Sequence, residues 1–329
     1  MLLNFHLPLH VLSLLLYTLT CTARTITPRS GTLEQITSFG SNPTNVKMYI
    51  YVPTNLAPNP AIVVAIHYCT FPPPYLTPQN PTVPKLMIQN QKKGTGTAQA
   101  FYGGTPYAQA SEKHNFIVIY PESPYEGKCW DVSSQATLTH NGGGNSNSIA
   151  NMVDWTVKKY GADKKRVFAV GMSSGAMMTN VLAATYPDIF AAGIAYAGVP
   201  AGCFLSTANQ PDAWNSTCSQ GQSITSPQHW ADIAKAMYPG YSGSRPKMQI
   251  YHGSADTTLN VRNYQETCKQ WAGVLGYQFD APKEKKSNTP EANYETTVWG
   301  EKLVGVLASG IGHNIPIHGE EDLKWFGFV

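Results

Sequence analysis

Residues 171–175 read Gly-Met-Ser-Ser-Gly, a Gly-x-Ser-x-Gly pattern whose central serine could act as a nucleophile. A strand-like segment at 166–170 precedes the pattern, and a helical segment at 176–186 follows it. A serine in such a strand-to-helix turn occupies a strained backbone position, and the two glycines let the strand and the helix approach closely. We therefore predict a nucleophile elbow centred on Ser173.

A nucleophilic serine needs a histidine base, and the histidine needs a carboxylate that orients it, because a hydroxyl is too weak an acid to attack an ester unaided. In hydrolases built on this elbow, the acid follows the serine on a later strand end and the histidine comes last. Asp256 follows a strand-like segment at 248–252, and His313 lies in a glycine-rich loop after the segment at 303–308. This order predicts a catalytic triad of Ser173, Asp256 and His313.

Other histidines and another role for the aspartate compete with this assignment. Asp256 could instead cap a turn. His318 is the main competitor of His313, but His313 is closer to the strand end and has glycines around it, so we predict that His318 packs or faces solvent. His67 and His252 end buried strand-like segments, and we interpret both as structural histidines.

Acyl transfer also requires N–H donors for the oxyanion that forms on the substrate. The backbone N–H of Ser174 stands at the predicted start of a helix, where the helix dipole adds to its effect. The second donor should come from the loop after the third strand of such a fold, here residues 66–70. Tyr68 and Cys69 are both candidates, and we predict an oxyanion hole formed by the N–H groups of Cys69 and Ser174.

The sequence contains no pattern for a metal or a nucleotide cofactor. No cluster of His, Cys and Asp has zinc-ligand spacing, and there is no dinucleotide fingerprint or phosphate loop. Residues 141–145 (Asn-Gly-Gly-Gly-Asn) are glycine-rich but lack the Lys-Ser/Thr of a nucleotide loop. We expect no cofactor and no metal, and we interpret 141–145 as a tight loop near the site.

Strand-like and helical segments alternate along the chain, which is typical of a mostly parallel sheet covered by helices. Apolar residues at helical spacing predict one helix at 148–160 and a second at 176–186, ended by Pro187. We predict an α/β-hydrolase fold, with a mostly parallel central sheet and helices on both faces. The predicted strands are 47–52, 61–67, 116–120, 166–170, 193–197, 248–252 and 303–308.

The chain has 329 residues, of which 42% are hydrophobic and 13% are charged. This composition supports one large core and excludes collagen-like, coiled-coil and wholly disordered classes. The formal net charge is only +3, and no basic cluster is longer than 283–286. There is thus no electrostatic footprint for nucleic acid or an anionic membrane, and we expect a monomer that binds neither.

Two segments fall outside the predicted core. Residues 1–23 contain an apolar run followed by small residues, the pattern of a cleaved signal peptide. The alternative is a membrane anchor, which needs about 20 apolar residues where about a dozen are present. Residues 71–93 contain six prolines and interrupt a strand-to-helix connection. We interpret 71–93 as a disordered insert, with an unspliced intron as one hypothesis for its source, and 24–329 as a single catalytic domain.

Removal of a signal peptide would leave an odd number of cysteines, so two disulfides and one free thiol are expected in an oxidising compartment. We favour a Cys203–Cys218 pair because the residues between them have the composition of a local surface loop. The same loop contains an Asn-Ser-Thr sequon that predicts N-glycosylation at Asn215. The pairing stays open for the remaining cysteines, which are Cys69, Cys129 and Cys268.

Six motifs carry a resemblance to a known family of secreted enzymes. They lie at 42–46 (Asn-Pro-Thr-Asn-Val), 49–53 (Tyr-Ile-Tyr-Val-Pro), 129–131 (Cys-Trp-Asp), 154–156 (Asp-Trp-Thr), 171–175 and 316–319 (Pro-Ile-His-Gly). With these motifs the sequence resembles the fungal acetyl xylan esterases of carbohydrate esterase family 1. That family also contains feruloyl esterases and is related to polyhydroxybutyrate depolymerases.

The resemblance implies Ser173 as the nucleophile, His313 as the base and Asp256 as its acid. Many relatives have His-Gly-Cys where this sequence has His-Tyr-Cys at 67–69, so the amide that completes the oxyanion hole stays open. The chain ends at Val329 without the cysteine-rich cellulose-binding module of some relatives. We therefore expect no carbohydrate-binding module.

In function, the resemblance implies an extracellular serine esterase that removes acetyl groups from acetylated xylan through an acyl-enzyme. The alternative is a feruloyl esterase that releases ferulic acid from plant cell-wall polysaccharide, since only the acyl pocket separates the two. Trp130 and Trp214 are candidates for stacking on sugar rings. Two further alternatives are a serine peptidase and a non-enzymatic carbohydrate-binding protein with a vestigial elbow, and an intact triad counts against the second.

Overall fold

The computed structural model describes residues 30–70 and 96–329, which form a ten-stranded sheet flanked by helices. No helix in this part of the chain is long and apolar enough to cross a membrane. The strands are β1 (Leu33–Ile36), β2 (Lys47–Tyr51), β3 (Ile62–Ile66), β4 (Ile117–Glu122), β5 (Val167–Met172), β6 (Ala192–Tyr196), β7 (Lys247–Gly253), β8 (Glu284–Ser287), β9 (Tyr294–Gly300) and β10 (Leu303–Ala308). The helices are α1 (Ala98–Gly104), α2 (Tyr107–His114), α3 (Asn145–Tyr160), α4 (Ser174–Thr185), α5 (Ser216–Ser219), α6 (Pro227–Ala236), α7 (Arg262–Leu275) and α8 (Gly319–Phe326).

The strand order is β1-β2-β4-β3-β5-β6-β7-β10-β9-β8. The strands from β4 to β10 in this order pair in parallel, and antiparallel pairs complete both edges of the sheet. The central strand β3 is an unbroken apolar run that is buried at every position, as expected for a parallel strand covered on both faces. The predicted mostly parallel sheet is confirmed.

Helices cover the sheet on both faces and enclose two separate cores. The larger core contains apolar residues of α3, α4, α6 and α7, and the smaller one contains those of α1, α2 and α8. Helix α4 is buried along its whole length, so its apolar residues do not need to lie on a single face. The prediction of helices on both faces is likewise confirmed.

Three strands, β1, β8 and β9, were not predicted, and all three belong to the antiparallel pairs at the two ends of the sheet. Strand β8 has the sequence Glu-Lys-Lys-Ser and is exposed at all four positions, so it carries no hydrophobic pattern. Strands β1 and β9 also form antiparallel edge pairs. Helices α3 and α4 begin two or three residues earlier than predicted. The predictions for residues 1–23 and 71–93 lie outside the described residues.

The carboxyl ends of the parallel strands lie at one edge of the sheet, where open α/β folds bind their ligands. Strand β5 ends directly before Ser173, β7 ends three residues before Asp256, and β10 ends five residues before His313. Because β7 and β10 are neighbours, and β6 alone separates β7 from β5, the three side chains emerge close together.

Candidate active site

The turn between β5 and α4 holds Ser173 in an unusual backbone conformation, with φ 56° and ψ −122°. Positive φ is strained for a serine, and the backbone N–H of Ser173 is fixed by donation to the carbonyl oxygen of Tyr196 at 2.8 Å. A Cβ added to Gly171 would collide with the carbonyl oxygen of Gly175, and one added to Gly175 would collide with that of Ile66. Both glycines are therefore required for the strand and the helix to meet at this turn.

A chain of hydrogen bonds connects the three predicted triad side chains. The Nε2 atom of His313 lies 2.8 Å from the Oγ of Ser173, and its Nδ1 lies 2.7 Å from the Oδ2 of Asp256. An ionised carboxylate can only accept, so Nδ1 carries the hydrogen and Nε2 is left to accept from the serine hydroxyl. The structure thus places Ser173, His313 and Asp256 in the arrangement that activates a serine for nucleophilic attack.

The buried carboxylate of Asp256 has donors on both of its oxygens. Its Oδ1 accepts from the backbone N–H groups of Thr258 and Leu259, each at 2.9 Å. Burial opposes ionisation, but hydrogen bonds from His252 and His313 outweigh it and hold the pKa of Asp256 well below its usual range. The turn-capping role and the triad role are compatible, because they use different oxygens of the same side chain.

His252 has a contact that the sequence analysis did not anticipate. Its ring is 1% exposed, and its Nε2 lies 2.8 Å from the carbonyl oxygen of Leu259 and 3.2 Å from the Oδ2 of Asp256. It is therefore bonded to the triad carboxylate as well as to the backbone. His252 lies within β7, four residues before Asp256, and this spacing alone does not predict the contact.

The other two histidines have the structural roles that were predicted. The ring of His67 is buried, with Nδ1 2.7 Å from the carbonyl oxygen of Tyr68 and Nε2 accepting from the backbone N–H of Ser123 at 3.1 Å. Burial lowers the pKa of His67 to about 4. The ring of His318 packs against Tyr251 and Tyr294.

The predicted oxyanion donors lie on two segments that are both bonded to a third segment, residues 129–130. Ser174 is the first residue of α4, and its Oγ accepts from the backbone N–H of Trp130 at 2.7 Å. The indole N–H of Trp130 donates to the carbonyl oxygen of His67 at 2.8 Å. Cys69, two residues later, is joined to Cys129 by a disulfide. These contacts hold the loop after β3 beside the elbow.

The two predicted sugar-stacking tryptophans have opposite environments. Trp130 is 1% exposed, so neither face of its ring is available to a sugar, and the prediction for this residue is wrong. Trp214 is 56% exposed and contacts Phe204 edge-on. Its loop is anchored by donation from the N–H of Ala213 to the Oγ of Ser133 at 2.9 Å. An exposed indole on an anchored loop retains a surface for a ligand.

The buried carboxylate of Asp131 joins the segment that contacts the elbow to the loop that carries Trp214. It accepts from the N–H groups of Ser133, Ser134 and Asp212 at 2.9–3.3 Å. Burial opposes its ionisation, but hydrogen bonds from Ser134 and Ser133 prevail and lower its pKa. Burial, together with the negative charge of Asp131, raises the pKa of Asp212 to about 6.

The five cysteines in the described part of the chain form two disulfides, Cys69–Cys129 and Cys203–Cys218, and leave a buried free thiol at Cys268. The favoured Cys203–Cys218 pair is confirmed. Asn215 is the N-cap of the one-turn helix α5, and its side-chain Oδ1 accepts from the N–H of Cys218 at 3.0 Å. Within residues 30–70 and 96–329, no group of three or more His, Cys, Asp and Glu side chains is placed to hold a metal ion.

The chain is similar to known esterases over most of its length. The family model described as esterase PHB depolymerase matches residues 68–292. A probable acetylxylan esterase A of Aspergillus flavus is 69% identical over 326 residues, which cover 97% of this chain and 98% of that protein. The acetylxylan esterase A of Aspergillus oryzae is 68% identical over the same shares of both chains. The chain belongs to the acetylxylan esterase family.

A solved structure supports the same assignment for this acetylxylan esterase family member. The acetyl xylan esterase from Aspergillus awamori is 63% identical, with a TM-score of 0.83, over 91% of this chain and 100% of that one. The predicted α/β-hydrolase fold and the resemblance to fungal acetyl xylan esterases are confirmed. The protein is a carboxylic ester hydrolase.

Proposed function

We propose that the protein removes acetyl groups from acetylated xylan, with Ser173 as nucleophile, His313 as general base and Asp256 as the acid that orients it. The observation that carries this proposal is the hydrogen-bond chain from Ser173 Oγ through both ring nitrogens of His313 to Asp256 Oδ2. The names of the relatives from Aspergillus flavus and Aspergillus oryzae support acetyl rather than feruloyl transfer.

In the first step, the Oγ of Ser173 bonds to the acetyl carbonyl carbon while its proton passes to the Nε2 of His313. The carbonyl oxygen becomes an oxyanion, which we assign to the backbone N–H groups of Ser174 and Cys69. The oxyanion then collapses and breaks the bond to the sugar oxygen. That oxygen takes the proton from His313, and the acetyl group stays on the serine.

In the second step, a water molecule attacks the acetyl-enzyme while His313 accepts its proton. A second oxyanion forms in the same place and collapses, which breaks the bond between the acetyl carbon and the Oγ of Ser173. The Oγ takes the proton back from His313, and acetic acid leaves and ionises to acetate in solvent. Throughout, Asp256 keeps the imidazole in one tautomer and stabilises its positive charge. Activity should therefore fall at acid pH, since a protonated His313 cannot accept the serine proton.

The peptide between residues 68 and 69 supports the assignment of the second oxyanion donor. The carbonyl oxygen of Tyr68 faces the Nδ1 of His67 at 2.7 Å. In a planar trans peptide the carbonyl and the N–H point to opposite sides, so the N–H of Cys69 points away from the His67 ring. Because this orientation is fixed by the His67 ring on the carbonyl oxygen and not by the side chain of residue 68, a Tyr in place of the Gly of many relatives is compatible with the hole.

A direct test compares acetate release from acetylated xylan with ferulate release from methyl ferulate. We expect the first reaction to dominate, and Ser173→Ala to lower it by about 10⁴-fold or more. Ser242→Ala is the matched control, because Ser242 is an exposed serine remote from the elbow in sequence. Near-normal turnover by Ser173→Ala would refute the proposal. Covalent labelling of Ser173 by an organophosphate would separate an active enzyme from a protein with a vestigial elbow.

Trp214 is our candidate for contact with the substrate outside the reacting bond. Its exposed ring and its anchorage next to the elbow segment support this role. Trp214→Ala should weaken the hydrolysis of acetylated xylan more than that of a small aryl acetate, since the small ester lacks the sugar chain. Equal effects on the two substrates would argue against the assignment.

The setting of the enzyme is also part of the proposal. We infer secretion after cleavage of residues 1–23, an N-linked glycan at Asn215, and a monomer that acts on extracellular polysaccharide without nucleic acid or membrane partners. The composition and the sequon support this setting. Sequencing the N-terminus of the protein from a culture supernatant should give Arg24 as the first residue, and an intact Met1 would contradict the cleavage.

A further inference from the structure

Both neighbours of the His252 Nε2 atom are hydrogen-bond acceptors. The carbonyl oxygen of Leu259 lies 2.8 Å away and the Oδ2 of Asp256 lies 3.2 Å away. A carbonyl and an ionised carboxylate have no hydrogen to donate, so the hydrogen is assigned to Nε2. His252 therefore donates to both, and its ring is held in place by burial in the sheet.

The two oxygens of Asp256 are held by different kinds of donor. Two backbone N–H groups, from Thr258 and Leu259, bind Oδ1. Among residues 30–70 and 96–329, the groups that bind Oδ2 are both side chains, namely His313 at 2.7 Å and His252 at 3.2 Å. His252 is thus the one described side chain that shares with His313 the carboxylate oxygen on which the orientation of His313 depends.

We propose that His252 is a positioning residue of the triad, which acts through Asp256 and does not touch the substrate. Its Nε2–H keeps Oδ2 in line with the Nδ1 of His313 and takes up part of the carboxylate charge. This inference rests on the proposed function, because it assigns His252 to the same reaction.

A merely structural role would give a different result. In that case His252 would serve only to close the turn through Leu259, and its removal would lower stability without a specific effect on the reaction. A positioning role predicts three changes in enzyme that is still folded. These are a lower kcat with little change in KM, a displaced pH profile, and coupling to Asp256.

The first test compares His252→Phe, which keeps a ring but removes the donor, with His252→Gln, whose amide restores an N–H. Loss of a hydrogen bond to a charged group predicts a fall in kcat of about 10- to 100-fold for His252→Phe. His252→Gln should recover most of this loss, and its folding is easier to preserve. His140→Phe is the matched control, since His140 stacks on Tyr238 and bonds to the carbonyl oxygen of Thr185, away from the triad.

The second test uses the pH dependence of kcat/KM on a soluble acetyl ester. Without the His252 donor, more of the carboxylate charge acts on His313 and favours its protonated form. The acidic limb of the profile should move to higher pH in His252→Phe and return in His252→Gln. His140→Phe should leave the limb in place.

The third test is a double-mutant cycle with Asp256→Asn. If His252 acts through the carboxylate, adding His252→Phe to Asp256→Asn should cost less than about threefold, far below its effect in the wild type. Losses that multiply in the double variant would overturn the proposal, as would a His252→Phe enzyme that matches His140→Phe in kcat and pH profile. An active Ser173→Ala enzyme would instead refute the proposed function itself.

Discussion

The backbone N–H of Trp130 donates to the side-chain oxygen of Ser174 over 2.7 Å. The residue after the nucleophile is therefore used twice, since its amide is our oxyanion donor and its hydroxyl anchors a neighbouring segment. That segment leads directly into Asp131, which holds the loop of Trp214. The buried Trp130 therefore connects the elbow to the loop of Trp214, the residue that we propose contacts the substrate.

Ser174→Ala should destabilise the protein by about 1–3 kcal/mol, because the buried N–H of Trp130 would lose its acceptor. Urea unfolding followed by tryptophan fluorescence would measure the change. Thr185→Val is a suitable control: its hydroxyl donates to the carbonyl oxygen of Val181, which keeps its place in the helical hydrogen-bond ladder. A loss no larger than that of the control would show that the Trp130 contact contributes little.

Gly175→Ala should abolish activity and lower stability by about 1–3 kcal/mol or more, because its Cβ would meet the backbone of Ile66, which cannot rotate away. Gly103→Ala is the control, since a Cβ there meets nothing within 4 Å. In helix α1 that change should be neutral or stabilising by about 0.5–1 kcal/mol. Thermal unfolding and acetate release would separate the two, and an active Gly175→Ala enzyme would contradict the close approach of α4 to β3.

The elbow and the order of the triad were predictable because they depend on local sequence and on chain order. Ser173 needs only a strand before it and a helix after it, and Asp256 and His313 each follow a strand of the same parallel sheet. The contact of His252 with Asp256 was not predictable in this way. It depends on how the turn after β7 folds back, and a histidine at the end of a buried strand gives no sign of that.

Two other differences have equally physical causes. Trp130 was predicted to stack on sugar, but an indole whose N–H has a buried partner can be fully enclosed, and sequence does not reveal that partner. Strand β8 is polar throughout and exists through its pairing with β9, so no periodicity marks it. The sequence pattern therefore found the parallel strands of the sheet and missed three of the antiparallel strands at its two ends.

Asp322 should make stability depend on pH in a direction opposite to that of most carboxylates. Burial raises its pKa to about 7, against the lowering effect of donation from the hydroxyls of Tyr107 and Tyr196. Between about pH 4 and 7 the folded protein thus holds a proton that the unfolded chain has released, so stability falls as pH rises through this window. The full effect is roughly 4 kcal/mol at most.

Asp322→Asn removes this titration. As pH rises from 4 to 7, the free energy of unfolding of the wild type should therefore fall relative to that of the variant. Urea unfolding at several pH values would show the change, with Asp280→Asn, at an exposed position, as control. The difference between wild type and Asp322→Asn should be flat above about pH 8. A difference that does not vary with pH would mean that Asp322 is ionised in the folded protein at all these values.

Replacement of residues 71–95 by two glycines should leave the fold and the esterase activity in place. Gly96 donates its N–H to the Oγ1 of Thr70 at 3.0 Å, and Thr70 donates its own N–H to the carbonyl oxygen of Gly127 at 2.8 Å. Gly96, where the described chain resumes, therefore lies next to Thr70, where it stops, and Thr70 directly follows Cys69 of the Cys69–Cys129 disulfide. We expect acetate release within about threefold of the full chain, because the flanking backbone keeps its hydrogen bonds.

Shortening residues 206–210 to two glycines is the contrasting variant. In that loop the N–H of Ser206 donates to the carbonyl oxygen of Ser133, and the carbonyl oxygen of Gln210 accepts from the Ser133 hydroxyl. Its shortening removes contacts beside Asp131, so we expect it to reduce activity on acetylated xylan. If the variant without 71–95 lost as much activity, the loop of Cys69 would depend on residues 71–95. The expectation that this loop keeps its place without them would then be wrong.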